Sequence, residues 1–177
     1  MENDFLSEQD EIEIPGNYMK LRDGFNRFRI LGKKVSGYEY WTINKKPIRS
    51  KEMFKSTPDI KKGEKVKEFW AMPVWNYEAF QDKNKKWQGM VQILEITQST
   101  IRSAIKGFIK NPKWGLPYNY DIAIDKAGEM LETTYQIQAE PPLSEVAENI
   151  KQAYTEKSIN LEALFANDGK GEDPFKA

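Results

Sequence analysis

Residues 26–31, NRFRIL, change character at every second position, with Asn26, Phe28 and Ile30 on one side and Arg27, Arg29 and Leu31 on the other. A period of two sends successive side chains to opposite faces of a β-strand, so Arg27 and Arg29 are expected to share one face. Further strand-like runs follow. GYEYWTI (37–43) is expected to pair with the first run across the polar loop GKKVS. KEFWAMPVWNY (67–77) contains Pro73, which argues for an edge or a bulge. GMVQILEI (89–96) is apolar enough for a central strand, and forms a hairpin with the preceding run through the polar loop 78–87. YDIAID (120–125) and TTYQIQ (133–138) alternate around a turn containing Gly128 and read as a second hairpin.

One stretch has helical spacing. In TQSTIRSAIKGFIKNP (97–112), Ile101, Ala104, Ile105, Phe108 and Ile109 recur at intervals of three and four, Thr97 or Ser99 is placed to cap the start, and Asn111-Pro112 ends it. Its other face carries Arg102, Lys106 and Lys110. Residues 44–66 have little periodicity and read as a long connection with room for a short helical piece. A second helix of about twelve residues is expected from Ser144. About five strands with a helix inserted before the last two are the parts of an OB-fold, a five-stranded Greek-key barrel, within a mainly β chain with helices (α+β). An α+β sandwich has similar parts.

The formal charge of zero conceals three unlike blocks. Residues 1–19 hold six acids and no base, residues 20–113 hold 22 bases against nine acids, and residues 114–177 hold five bases against twelve acids. A basic middle between acidic ends points to a polyanionic partner for the middle and to a regulatory or solubilising role for the ends. The expected organisation is an acidic arm at 1–19, a binding domain at 20–142, and a C-terminal helix with a flexible acidic tail at 143–177.

The chain contains no Cys and no His. Thiol and imidazole nucleophiles, disulfides and the usual zinc ligands are therefore excluded. The acidic start lacks the basic and apolar regions of a secretory signal, and no apolar run approaches the ~20 residues of a membrane span. A cytoplasmic protein without cofactor or metal is expected, with its oligomeric state open.

Aromatic residues concentrate in the basic block, interleaved with Lys and Arg: Tyr38, Tyr40, Trp41, Phe69, Trp70, Trp75, Tyr77, Phe80 and Trp87. Rings that stack on bases beside cations that follow the phosphates hold a single strand without reading its sequence. Period two sends at least half of these rings inward, since Trp41 opposes Tyr40 and Trp70 opposes Phe69. Trp87 differs, because it sits beside Lys83, Lys85 and Lys86 in a loop with no obvious core. A nuclease reading has less to rest on. Asp121 and Asp125 with Lys126 form a loose acid-acid-base set able to hold Mg²⁺, but alternation with Ile also describes a plain solvent face.

Together, GFNRFRIL, YWTINKKPIR, KEFWAMPVWNY, VQILEITQSTIRSAIKGFIKNPKWGLPYNYDIAID and LETTYQIQAEP resemble a family of bacteriophage single-stranded DNA-binding proteins with an OB-fold core, over about Gly24 to Pro142. The resemblance implies a non-catalytic protein that coats single strands in phage replication, recombination and repair. The matching positions are Arg27, Arg29, Trp41, Arg49, Trp70, Trp75 and Trp114. Related helix-destabilising proteins hold a structural zinc through Cys and His, which this chain cannot do. The end of the chain, with Asp173, Pro174 and Phe175, is similar to the acidic tails that recruit replication proteins, although Lys176 and Ala177 follow it.

The residues expected to meet DNA are then Arg27, Arg29, Lys33, Lys34, Tyr38, Tyr40 and Arg49 in the first half. Trp70, Trp75 and Tyr77, the loop residues Lys83, Lys85, Lys86 and Trp87, and the helical Arg102 and Lys106 complete the set. The alternatives from the sequence are an RNA-binding or replisome-adaptor OB module and a Mg²⁺-dependent nuclease.

Overall fold

The computed structural model describes residues 15–175. Most of the N-terminal acidic arm and the terminal Lys176-Ala177 lie outside the described residues. Within them the chain is a mixed α+β structure with one antiparallel sheet of seven strands and two α-helices. The strands are β1 (Gly24–Ile30), β2 (Val35–Trp41), β3 (Pro47–Ser50), β4 (Lys67–Gln81), β5 (Trp87–Ile96), β6 (Asp121–Ala127) and β7 (Thr134–Glu140). The helices are α1 (Ser99–Lys110), between β5 and β6, and α2 (Glu148–Lys157). The pairing path runs β3-β2-β4-β1-β6-β7, with β5 on the other edge of β4.

β1 and β2 do not form the expected hairpin. Both run antiparallel to the same edge of β4, with Ile30 opposite Val74 and Val35 opposite Ala71. Four residues, 31–34, thus face two, 72–73, so β1 and β2 act as one long strand with a break at 31–34. The Leu31 N–H donates to the Pro73 carbonyl at 2.9 Å. Because a strand residue directs its N–H and C=O to the same edge, the N–H that Pro73 lacks falls at this break, where little partner is lost. Pro73 therefore sits inside a central strand, opposite an irregularity in its neighbour. With β1 and β2 counted as one bent strand, the connections are compatible with an OB-like arrangement, to which β3 is an addition. Among the described residues no pairing joins β5 to β7, so the sheet is open rather than a closed five-stranded barrel. α1 lies against β7 on that side.

The inward face of the sheet carries Phe28, Ile30, Trp70, Met72, Val74, Leu94, Ile96, Ile122 and Ile124. Ile101 and Ile105 of α1 close over it. The helix starts one residue after Gln98, and neither Thr97 nor Ser99 caps it. The Gln98 side chain instead accepts from the Thr97 N–H and donates towards the Tyr135 hydroxyl at 3.4 Å. At its end the Asn111 N–H reaches the Gly107 and Phe108 carbonyls. The β6-β7 hairpin is paired along its length. Gly128 turns it with φ near +83°, and a Cβ there would stand 2.3 Å from the Glu132 carbonyl oxygen.

The 44–66 connection contains β3 and no helix. It folds back on β2 through an Ile60–Thr42 bridge and an edge-on contact of Phe54 with Tyr40. α2 begins at Glu148 rather than Ser144, because the Ser144 N–H and C=O are engaged by the Asn119 carbonyl and by Arg29. The largest departure is at the C-terminus. Residues 161–175 form a strap on the outer face of the sheet, where Leu161 and Leu164 pack with Phe69, Ala71 and Ile93 into a second apolar cluster joined by Phe165 and Phe175. Pro174 is buried, and its carbonyl accepts the Asn160 N–H at 2.7 Å. The tail expected to be flexible is a packed element as far as Phe175.

Candidate nucleic-acid interface

The sequence places Arg27 and Arg29 on the outer face of β1, and the structure shows what covers that face. Asp121, the first residue of β6, is fully buried beside them. Arg29 donates from Nε to Asp121 Oδ1 at 2.7 Å and from Nη1 to the carbonyls of Ser144 and Tyr118 at 2.7 and 3.2 Å. The Tyr77 hydroxyl donates to the same Asp121 Oδ1 at 2.8 Å. Burial and that hydrogen bond push the Tyr77 phenol up to about 12, so it remains a donor. Arg27 donates from Nε to Asp121 Oδ2 at 2.9 Å, makes a second short contact to it from Nη2, and lies 4.7 Å over the Tyr77 ring.

Arg29 is therefore an internal residue and is not open to phosphate. Arg27 keeps 36% of its side chain exposed and is the one member of the pair that reaches the surface. The Asp121 carboxylate is filled by cationic and phenolic donors, which leaves it no role as a Mg²⁺ ligand, while Asp125 points to solvent four residues on.

Three more expected cationic or aromatic contacts are also internal. Trp70 is part of the core. Tyr40 is buried and donates to Asp59 at 2.7 Å. Arg102 is buried against Glu68, with Nη1 to Oε2 at 2.8 Å. In each case the periodicity that suggested a contact face, alternation in the strands and four-residue spacing in α1, also generates a covered one.

Arg49 lies beneath the strap. Its guanidinium bridges Glu39 at 3.3 Å and Glu95 at 2.9 Å, and its N–H donates to the Gly169 carbonyl at 3.0 Å. One arginine does not balance the buried Glu39 and the half-buried Glu95 carboxylates. Burial, and then the neighbouring Glu95, push the Glu39 carboxyl up to about 8, with Arg49 opposing the shift. In the unfolded chain this group ionises near 4.5, so between about 4.5 and 8 the folded state binds the extra proton and stability falls as pH rises. Melting the wild type across this range should show a decline of at most about 1.4 kcal/mol per pH unit. The Glu39→Gln variant should flatten that slope, and equal slopes in the two proteins would refute the assignment.

The outward-facing candidates fall into two places. At the β4-β5 hairpin tip, Asp82 Oδ1 accepts the N–H groups of Asn84 and Lys86 at 2.8 and 3.0 Å, which fixes the turn. These backbone bonds hold the Asp82 carboxyl below its ordinary value. Lys83, Lys85 and Lys86 are exposed on this turn. Trp87 follows, 44% exposed, with the Arg22 guanidinium 4.4 Å above its ring. The sequence alone does not mark Arg22, because its partner Trp87 lies 65 residues further along the chain. Further along the outer face Trp75 is half-buried over Gly89, where a Cβ would stand 2.3 Å from the indole. Glycine at 89 is what makes room for that ring.

The second place is the break between β1 and β2. Lys33 and Lys34 are exposed there, and Lys106 of α1 faces them across the edge of Trp70, with Lys34 Nζ 4.6 Å and Lys106 Nζ 5.6 Å from the ring centroid. Tyr38 is half-buried on β2, opposite Ser50. Trp41 ends that strand partly exposed, and Trp114 packs on Tyr120 at 5.2 Å as a structural ring. In the strap, Asp173 is exposed and its Oδ1 accepts the Phe175 N–H at 2.9 Å.

Among the described residues no helix is long and apolar enough to cross a membrane. No family model matches the chain, and no solved structure matches it. A curated protein of Escherichia phage T5 called "Probable ssDNA-binding protein" aligns with 29% identity over 152 residues, covering 73% of this chain. The match takes in 55% of the T5 protein, so the chain spans about half the length of the relative it matches. By sequence, then, the chain is distantly similar to a phage protein named for single-stranded DNA binding.

Proposed function

We propose that the chain is a sequence-tolerant single-stranded DNA-binding protein, acting without catalysis, with the OB-like part of residues 20–142 as its binding domain. The observation that carries this reading is the exposed Trp87 ring under the Arg22 guanidinium at the lysine-bearing hairpin tip, with a second cationic place formed by the exposed Lys33, Lys34 and Lys106. Rings supply flat surfaces for bases and lysines supply charge for phosphates, a combination that favours a strand with unpaired bases. The similarity to the T5 protein supports the same reading. Coating of strands exposed in phage replication, recombination and repair, in the host cytoplasm, is the proposed setting. Recruitment of replication proteins through Asp173, Pro174 and Phe175 would first require that Pro174 and Phe175 leave the packed strap.

Titration with oligo-dT is expected to quench tryptophan emission, through Trp87 above all. Log K should fall against log salt with a slope of about −0.7 for each phosphate neutralised. Duplex of the same length should bind more weakly, and RNA in parallel tests the choice of sugar. No quenching or anisotropy change at low salt with the folded protein would overturn the proposal, and a stronger preference for RNA would replace its ligand.

A further inference from the structure

A cavity of about 230 Å³ opens where β1 breaks from β2. Its floor is Trp70 and Met72, one wall is Ile105 and Ile109 of α1, and Leu116 stands at the mouth. The interior is apolar and the rim is not, since Lys33 and Lys34 line it. Lys106 reaches the same indole as Lys34. Two ammonium groups converge on one ring, and Ile109 and Leu116 remain exposed beside them. Burial, and then Lys106, lower the pKa of Lys34, with Glu68 opposing the shift. Like charges held this close disfavour each other, and an anion between them reverses the sign of the interaction.

We infer that this cavity accepts one unstacked base of a bound single strand, with the adjoining phosphate held by Lys34 and Lys106. The ligand is thus a nucleotide unit with a flat aromatic body and an anionic edge, which is the chemistry that matches a mainly apolar pocket under a lysine rim. The inference rests on the single-strand reading above and adds a particular subsite to it. It also gives Trp70 a role compatible with its burial: the ring forms the floor under the base and is not an exposed stacking platform. The break at 31–34 has a use on this view, because an unbroken β1-β2 strand would leave no opening between the sheet and α1.

The test uses the full chain and fluorescence anisotropy with two labelled oligomers of equal length, oligo-dT and an abasic analogue with the same phosphates. Filling the mouth by Ile109→Trp, at an exposed position on α1, should weaken oligo-dT binding about tenfold, within the range for loss of one base contact. It should leave abasic binding and the salt slope unchanged. Leu116→Trp is a second filling variant at another exposed position, and thermal melts establish which variants remain folded. If both folded variants bind oligo-dT like the wild type, or if abasic binding falls equally, the base subsite is overturned while single-strand binding stands. If the wild type binds neither oligomer, the functional reading itself fails, and the subsite with it.

Discussion

Replacing Asp121 with alanine is expected to destabilise the protein by about 3–5 kcal/mol, the range for removing one partner of a buried ion pair. Asp121 is fully buried, and it receives Arg29, Arg27 and Tyr77 at once. Without it Arg29 retains two backbone carbonyls but no counter-charge, in a site with almost no access to water. The cost of a stranded buried guanidinium exceeds that of an exposed one, which water would solvate. Domain stabilities are typically about 5–15 kcal/mol, so this single change removes a large fraction of the total. For a chain of this size the melting temperature should drop by roughly 6–20 °C. Arg27→Ala is the matched comparison, since a part-exposed arginine leaves Asp121 with Arg29 still in place. Thermal and urea unfolding of the two variants measures the contrast. Equal and small losses in both would show that the cluster is not what joins β1, β4 and β6.

The same cluster marks where sequence reading stops. Alternation in NRFRIL correctly yields a strand, because period two is a local property of extended backbone. What faces the arginines is not local: Asp121 lies 92 residues from Arg29, and the covering carbonyl of Ser144 lies 115 residues away. A buried ion pair and a solvated basic face therefore give identical local patterns. The β6-β7 hairpin and α1 were legible for the complementary reason that their partners are near in sequence and their periodicity is unbroken. The collinearity of β1 and β2 was hidden because a short Gly- and Lys-containing link between two strands reads equally well as a turn or as an irregularity, and the position of β4 decides between them. Of the residues expected to face outward, Trp87 and the lysines of its turn are exposed, because a loop offers no core to cover them. Trp70, Tyr40 and Arg102 are covered instead, because composition cannot say which face of an element is buried.

The second large effect concerns the strap. A chain ending at Asn160 is expected to lose about 5 kcal/mol or more of stability. Leu161 and Leu164 are buried, Phe165 is tilted against Phe69 at 5.8 Å, and Phe175 packs on the same cluster. A buried side chain of this size contributes about 1.5–3 kcal/mol, and the deletion also returns Phe69, Ala71 and Ile93 to water. Phe69 and Trp70 are neighbours on opposite faces of β4, so the sheet has apolar residues on both sides there, which is the pattern of a covered strand and not of a solvated one. Acidic composition at 168–173 obscured this, because charge at the chain end reads as a loose tail even when the apolar residues around it are spaced to pack. The strap also covers that part of the outer face, whereas the hairpin tip and the β1-β2 break stay open with their lysines exposed. Urea unfolding of the chain ending at Asn160, with dye binding to report exposed apolar surface, tests the claim. Unchanged midpoint and no dye binding would mean that residues 161–175 are a dispensable tail after all.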